Sequence, residues 1–150
     1  MSHESKIVAE DLRRSCIYGY AHQVVADQFG VRGFINIVKN VNGGALEKHY
    51  TGEFTARAQL QGQIARLVGL AGPVAACYDE DPNVSAPEIE ERISFDLFNL
   101  SATDAPVIEA SDKRDIEQCL LIIRQRWEDI ERNARIHSAR LTRPRSRQSV

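Results

Sequence analysis

The sequence predicts a mainly α-helical domain with one small β-hairpin, and three observations lead to this fold class. Apolar residues recur three or four positions apart through most of the chain, which is the period of an amphipathic helix. A single β-branched run, "GFINIVKNV" at 33–41, is followed by "NGG", which is typical of a hairpin turn. No internal repeat divides the 150 residues, so we expect one helical domain at 1–143 and a disordered, Arg-rich tail at 144–150.

The N-terminal part of the chain predicts a long helix and then the hairpin. Apolar residues are spaced about four apart within a helix expected at 5–29, and Gly30 favours its end. The strand at 33–41 should pair with a return strand at 45–54. Because this second strand is more polar, we expect it to be an edge strand.

Three further helices follow in the sequence. The first is predicted at 55–78, where Pro73 should kink or restart it and the run "GLAGPVAAC" supplies small residues for close packing. Ser85 and Glu88 form the capping signature of the next helix. The last helix is predicted as one continuous segment capped by Ser111, and its second half is Arg-rich and narrow, which indicates a helical partner or self-association. Its apolar stripe consists of Ile116, Leu120, Ile123, Trp127, Ile130, Ala134, His137 and Leu141.

Composition and charge exclude several classes of protein. A net charge of −2 creates no general attraction for nucleic acid or an anionic membrane. No apolar run is long enough to span a bilayer, and the N-terminus has no signal-peptide core, so we expect a cytoplasmic protein without membrane association. The three cysteines, Cys16, Cys77 and Cys119, lie in apolar patterns and are expected to be buried, reduced thiols.

Three short blocks of the sequence occur in an order that suggests a family. They are "YGYAHQVVADQFG" at 18–30, "IARLVGLAGPVAAC" at 64–77 and "DIEQC" at 115–119. Together they resemble the peptidase domain of FtsH-type AAA+ zinc proteases and small standalone relatives of that domain. In that family, one helix bears His-Glu-x-x-His, which supplies two zinc ligands and the general base, and a later Asp supplies the third ligand. The resemblance therefore implies a metallopeptidase-like arrangement of helices.

The same resemblance implies that the catalytic machinery is degraded. His22 matches the second zinc-binding histidine and Asp115 the ligand aspartate, but Tyr18 replaces the first histidine and Gly19 the catalytic glutamate. Catalytic zinc takes three protein ligands, and a residue without a side chain cannot act as a base. His22, Asp115 and Tyr18 are thus vestigial metal-site candidates, to which His49 could add a ligand. Simpler roles are a core histidine for His22 and, for Asp115, a carboxylate favoured by a helix N-terminus.

The missing catalytic residues argue against catalysis, and the charge patterning indicates surfaces for a protein partner. Acidic residues dominate 79–96, and arginines without acids follow residue 131; arginine suits bidentate contacts with carboxylates or phosphates. We therefore expect a non-catalytic protein-binding module without a cofactor, an inhibitor or adaptor of the kind that phages or other mobile elements encode. The alternatives are a zinc-dependent peptidase with unusual ligands and a nucleic-acid-associated protein that uses the C-terminal arginines. A second copy could bind through the last helix. The expected protein-binding residues are Asp79, Glu80, Asp81, Glu88, Glu90, Glu91, Trp127, Arg132, Arg135, Arg140 and Arg143.

Overall fold

A long helix, α1 (His3–Gln28), organises the fold in this computed structural model, which describes residues 2–40, 49–94 and 108–143. The helix begins where the Ser2 side chain accepts a hydrogen bond from the backbone N–H of Ser5. It ends before Gly30, whose φ of +72° turns the chain out of the helix. The predicted helix at 5–29 is confirmed, with its first turn slightly earlier.

The hairpin packs on one side of α1. Strands β1 (Gly33–Lys39) and β2 (Tyr50–Ala56) pair antiparallel, with Gly33 opposite Ala56 and Lys39 opposite Tyr50. Alternate residues of both strands face α1, as the period of two requires. The predicted boundary of the second strand, 45–54, was too early at its end, because pairing continues to residue 56. The "NGG" turn lies outside the described residues.

Helix α2 (Gly62–Glu80) follows the hairpin and lies between α1 and a later helix, α4 (Lys113–Gln125). The prediction that a helix begins at residue 55 is wrong, since 55 and 56 pair with β1 and the helix starts at Gly62, where φ is +60°. Pro73 is buried inside α2, which continues past it without the predicted restart. Proline removes one backbone hydrogen bond from the helix, and the packing of α2 on both of its sides offsets the free energy lost with that bond.

The C-terminal part contains the short helix α3 (Ala86–Ser94), then α4 and α5 (Trp127–Thr142). The prediction of one continuous last helix is wrong: the chain leaves helical geometry at Arg126, with φ −109° and ψ 15°. The break lets α4 pack on α2 while α5 packs on α1. Asp112, rather than the predicted Ser111, caps α4. Ser85 accepts the backbone N–H of Glu88, as predicted for α3.

The described part of the chain therefore forms five helices and one two-stranded sheet, which confirms the predicted fold class. Its core lies between α1, α2, α4 and α5, and includes the fully buried side chains of Ile17, Leu67, Leu70, Ile123 and Ile130. All three cysteines are free and buried, as predicted. No helix within the described ranges is both long and apolar enough to cross a membrane.

Candidate functional site

Tyr18 and His22 lie on the side of α1 that packs against α2. His22 is 4% exposed, and its Nδ1 is 2.5 Å from the carbonyl oxygen of Val68, to which it donates a hydrogen bond. The rings of Tyr18 and His22 meet edge to face, with centroids 5.1 Å apart. A Cβ at Gly72 would lie 2.5 Å from the Tyr18 ring and 2.7 Å from His22 Nε2. The small residues of α2 thus permit the close packing that the sequence predicted, directly over these two rings.

Gly19 lies against the hairpin instead. A Cβ at this position would be 3.3 Å from Cγ2 of Ile35 and 3.7 Å from Cδ1 of Ile37, both on β1. The strand β2 approaches the same turn of α1, where Ser15 Oγ donates a 2.8 Å hydrogen bond to the carbonyl oxygen of Tyr50. A side chain as long as glutamate at position 19 would therefore require the hairpin to move. The position that matches the family's general base is covered by apolar side chains.

Asp115 lies at the start of α4 and is 4% exposed. Its Oδ2 accepts a 2.8 Å hydrogen bond from Arg66 Nε and a 3.1 Å bond from the backbone N–H of Asp112. The Asp112 carboxylate in turn accepts the N–H of Asp115 at 2.9 Å, which completes a reciprocal capping box. The carboxylate thus caps α4 and joins it to α2 through an ion pair.

These residues do not fit a zinc centre. The Nδ1 of His22 is bonded to Val68, and the Asp115 carboxylate faces the Arg66 guanidinium, which already supplies a positive charge. Nowhere in the described ranges are three or more His, Cys, Asp or Glu side chains grouped so that they could hold a metal ion. His49 does not join them, because its backbone N–H donates to Asp11, which lies about 16 Å along α1 from His22.

Much of the predicted acidic surface is bonded within the chain. Asp79 forms a bidentate pair with Arg13, at 2.7 and 2.8 Å, and its side chain is only 14% exposed. Glu80 pairs with Arg92. Asp81 accepts the backbone N–H of Asn83, and Glu88 accepts the Ser85 hydroxyl. Glu90 and Glu91 remain exposed on α3. Asp96 lies outside the described residues.

The arginine-bearing surface is more available. Trp127 is partly buried against Tyr78, with ring centroids 4.8 Å apart, and its Nε1 donates to Glu131 at 2.7 Å. Arg132 pairs with Asp129, and hydrogen bonds from Arg126 and Arg132 hold the pKa of that carboxyl below its usual value. Three exposed arginines form no ion pair with any carboxylate in the part of the chain that the structure describes: Arg135, Arg140 and Arg143.

Sequence reasoning missed two features near these surfaces. The first is the role of Arg13 and Arg66 as partners of Asp79 and Asp115; no local signal predicts them, because 66 and 49 residues separate the partners. The second is an open groove of about 400 Å³ between the N-terminal half of α1 and α5. The alanine and serine residues of α5 that line it could have indicated such a groove.

No protein-family model fits the chain, and no curated protein is significantly similar to it in sequence. The likeness to a metallopeptidase domain therefore rests on the three short sequence blocks alone.

Proposed function

We propose that the chain is a non-catalytic protein-binding module, an inhibitor or adaptor, built on a metallopeptidase-like arrangement of helices. The observation that carries the proposal is the environment of Gly19. The residue that would activate a water molecule is missing, and Ile35 and Ile37 cover its position. The ion pair between Arg66 and Asp115 supports the same conclusion, because it turns the matching ligand position into a helix–helix contact.

The exposed arginines of α5 support protein binding as the activity. Arg135 and Arg140 lie on α5, Arg143 directly follows its last residue, and all three are exposed to solvent. Guanidinium groups bind carboxylates in a bidentate manner, so an acidic protein surface suits them. The exposed Glu90 and Glu91 on α3 would form a second, weaker contact region. A cytoplasmic partner, and an origin in a phage or other mobile element, belong to the same proposal.

Capture of the partner tests this proposal. The tagged chain would be cross-linked in cells of its source organism, and the captured protein identified. We expect the triple variant Arg135→Ala/Arg140→Ala/Arg143→Ala to lose that protein. The matched control, Lys113→Ala/Arg114→Ala on α4, should retain it, since it removes two exposed cations elsewhere. Equal capture by both variants would contradict the role of the α5 arginines.

The two alternatives give different results in parallel assays. For a peptidase, the purified chain would cleave an unfolded protein when zinc is added, and His22→Ala would abolish cleavage. For a nucleic-acid-binding protein, affinity for duplex DNA or single-stranded RNA would fall steeply with salt, and the triple arginine variant would lower that slope. The proposal predicts that, at physiological salt, the chain neither cleaves the unfolded protein nor binds DNA or RNA. Either activity at physiological salt would refute it.

A further inference from the structure

The groove between α1 and α5 combines an apolar floor with charged edges. Leu12, Ile17 and Ala134 line it and are each no more than 3% exposed. Arg13, Glu131 and Arg135 also line it and carry charge at its sides. An apolar floor that opens to solvent between two helices can receive another helix, because a third helix would complete the packing of both.

The side of α5 that faces the groove has the shape for such packing. Ser138 and Ala139 line the groove next to Ala134, and these short side chains allow another helix to approach closely. Tyr20 and His137 already fix α5 onto α1, through a 2.8 Å hydrogen bond between the tyrosine hydroxyl and Nδ1. The surface that borders the groove is therefore held in place before any partner binds.

The charges beside the groove are self-complementary. Glu131 and Arg135 are four residues apart on α5, so they lie on the same side of the helix. Consider two copies whose α5 helices pack antiparallel about a twofold axis. The axis crosses the pair at the level of Asn133, midway along the helix between Glu131 and Arg135. Glu131 of each copy then faces Arg135 of the other, and both contacts form at once. A purely acidic partner helix could pair with Arg135 but would place a like charge opposite Glu131, whereas a second copy pairs both residues.

We infer that a second copy of the chain docks in this groove through antiparallel packing of the two α5 helices. The inference rests on the proposed function, since it names another copy as one protein that the α5 surface binds. Helix α5 has 16 residues and is about 24 Å long, so the interface is small. Association should therefore be weak, with a dissociation constant on the order of micromolar or higher.

Charge reversal tests the pairing. Analytical ultracentrifugation of the full chain, from micromolar to near-millimolar concentration, should show a monomer–dimer equilibrium. Glu131→Arg and Arg135→Glu each place like charges opposite one another twice, so each should weaken dimerisation at least about tenfold. Mixing these two variants should restore a dimer that contains one copy of each. The double variant Glu131→Arg/Arg135→Glu should also dimerise, because its charges are exchanged. Arg114→Glu, outside the groove, is the matched control and should behave as the unmodified chain.

The folding of each variant is checked before its dimerisation is measured. Because Glu131 accepts the Trp127 N–H, each variant is first checked by circular dichroism and thermal unfolding. Ala139→Trp is a second test of docking in the groove. A large side chain at this exposed position would block the groove without removing a side-chain hydrogen bond, so this variant should not form the dimer.

A monomer at every concentration, a dimer insensitive to these changes, or single variants that fail to recover on mixing would overturn the inference. Partner capture through the α5 arginines by a strictly monomeric chain would overturn the inference alone and leave the proposed function intact. A charge-dependent dimer that captures no other protein would support the inference and count against the inhibitor or adaptor role.

Discussion

Replacing Gly52 with Ala tests how closely the hairpin packs on α1. A Cβ at this position would overlap the carbonyl oxygen of Ser15 and lie 3.0 Å from its carbonyl carbon and 3.2 Å from the amide nitrogen of Gly19. Because these atoms belong to a helix backbone, β2 must move away. We expect weakening of the Ser15–Tyr50 hydrogen bond to cost about 1 kcal/mol, and strain in the apolar contacts about 1–2 kcal/mol. The free energy of unfolding should fall by about 2–3 kcal/mol.

Gly19→Ala is the matched comparison at the same contact. Its Cβ would meet only the side chains of Ile35 and Ile37, which can adjust, while alanine is favoured over glycine inside a helix by up to about 1 kcal/mol. We expect stability to be unchanged or to rise by up to about 1 kcal/mol. Urea unfolding gives both values, and amide exchange in β2 reports release of the hairpin. A free energy of unfolding for Gly52→Ala within about 0.5 kcal/mol of the unmodified value would contradict this close contact, and so would a larger loss for Gly19→Ala than for Gly52→Ala.

Three further predictions concern buried polar groups and thiols. Asp115→Asn should lower the free energy of unfolding by about 2 kcal/mol, because it weakens the hydrogen bond from Arg66. Urea unfolding should show the same loss with added zinc and with a chelator. A loss that depends on zinc would contradict the ion-pair role of Asp115. Burial, with the charge of Arg140, lowers the pKa of His137, so its contribution to stability is present above about pH 6.5 and is lost as the pH falls through the lower folded-state value. Unfolding titrations should show a steeper acid loss than in His137→Gln, and equal slopes would refute this. Burial raises the pKa of Cys77 to about 11, so only about one thiol in a thousand is ionised near pH 8; mass spectrometry should find the folded chain alkylated far more slowly than the unfolded chain, and rapid labelling would count against burial.

Local periodicity predicted the elements whose faces are apolar over several turns. Helix α1 and strand β1 were found close to their true bounds, because their patterns of four and of two are long. The start of α2 was misplaced because threonine and glycine dilute the period of two in β2. The break at Arg126 has no apolar signal, since the stripe continues across it. One local and one tertiary contact lie at the break instead: Arg126 donates to Asp129 in the first turn of α5 and to Gln28 at the end of α1.

The sequence predicts which catalytic groups are missing from the candidate site. It does not predict which contacts the residues at those positions make instead. The sequence alone shows that Gly19 carries no acid. It does not show that β1 covers this position, because that depends on how the hairpin docks. The plain role predicted for Asp115, a carboxylate at a helix N-terminus, agrees with its capping box. Its partner Arg66 lies 49 residues away, and only the packing of α2 against α4 brings the two together.

The Arg66–Asp115 pair also limits what chemistry the interior can perform. Two unit charges near 4 Å interact by about 4 kcal/mol at an effective dielectric constant of about 20. A divalent cation beside Asp115 would therefore meet a repulsion from Arg66 that offsets much of the attraction of the carboxylate. The His22 ring is hydrogen-bonded to the backbone of α2, and the hairpin packs against Gly19. Because each of these motif positions already serves the packing of one element on another, the groups left to act on other molecules are those on the outer faces. We therefore propose α5 and the groove beside it as the surface that contacts other molecules.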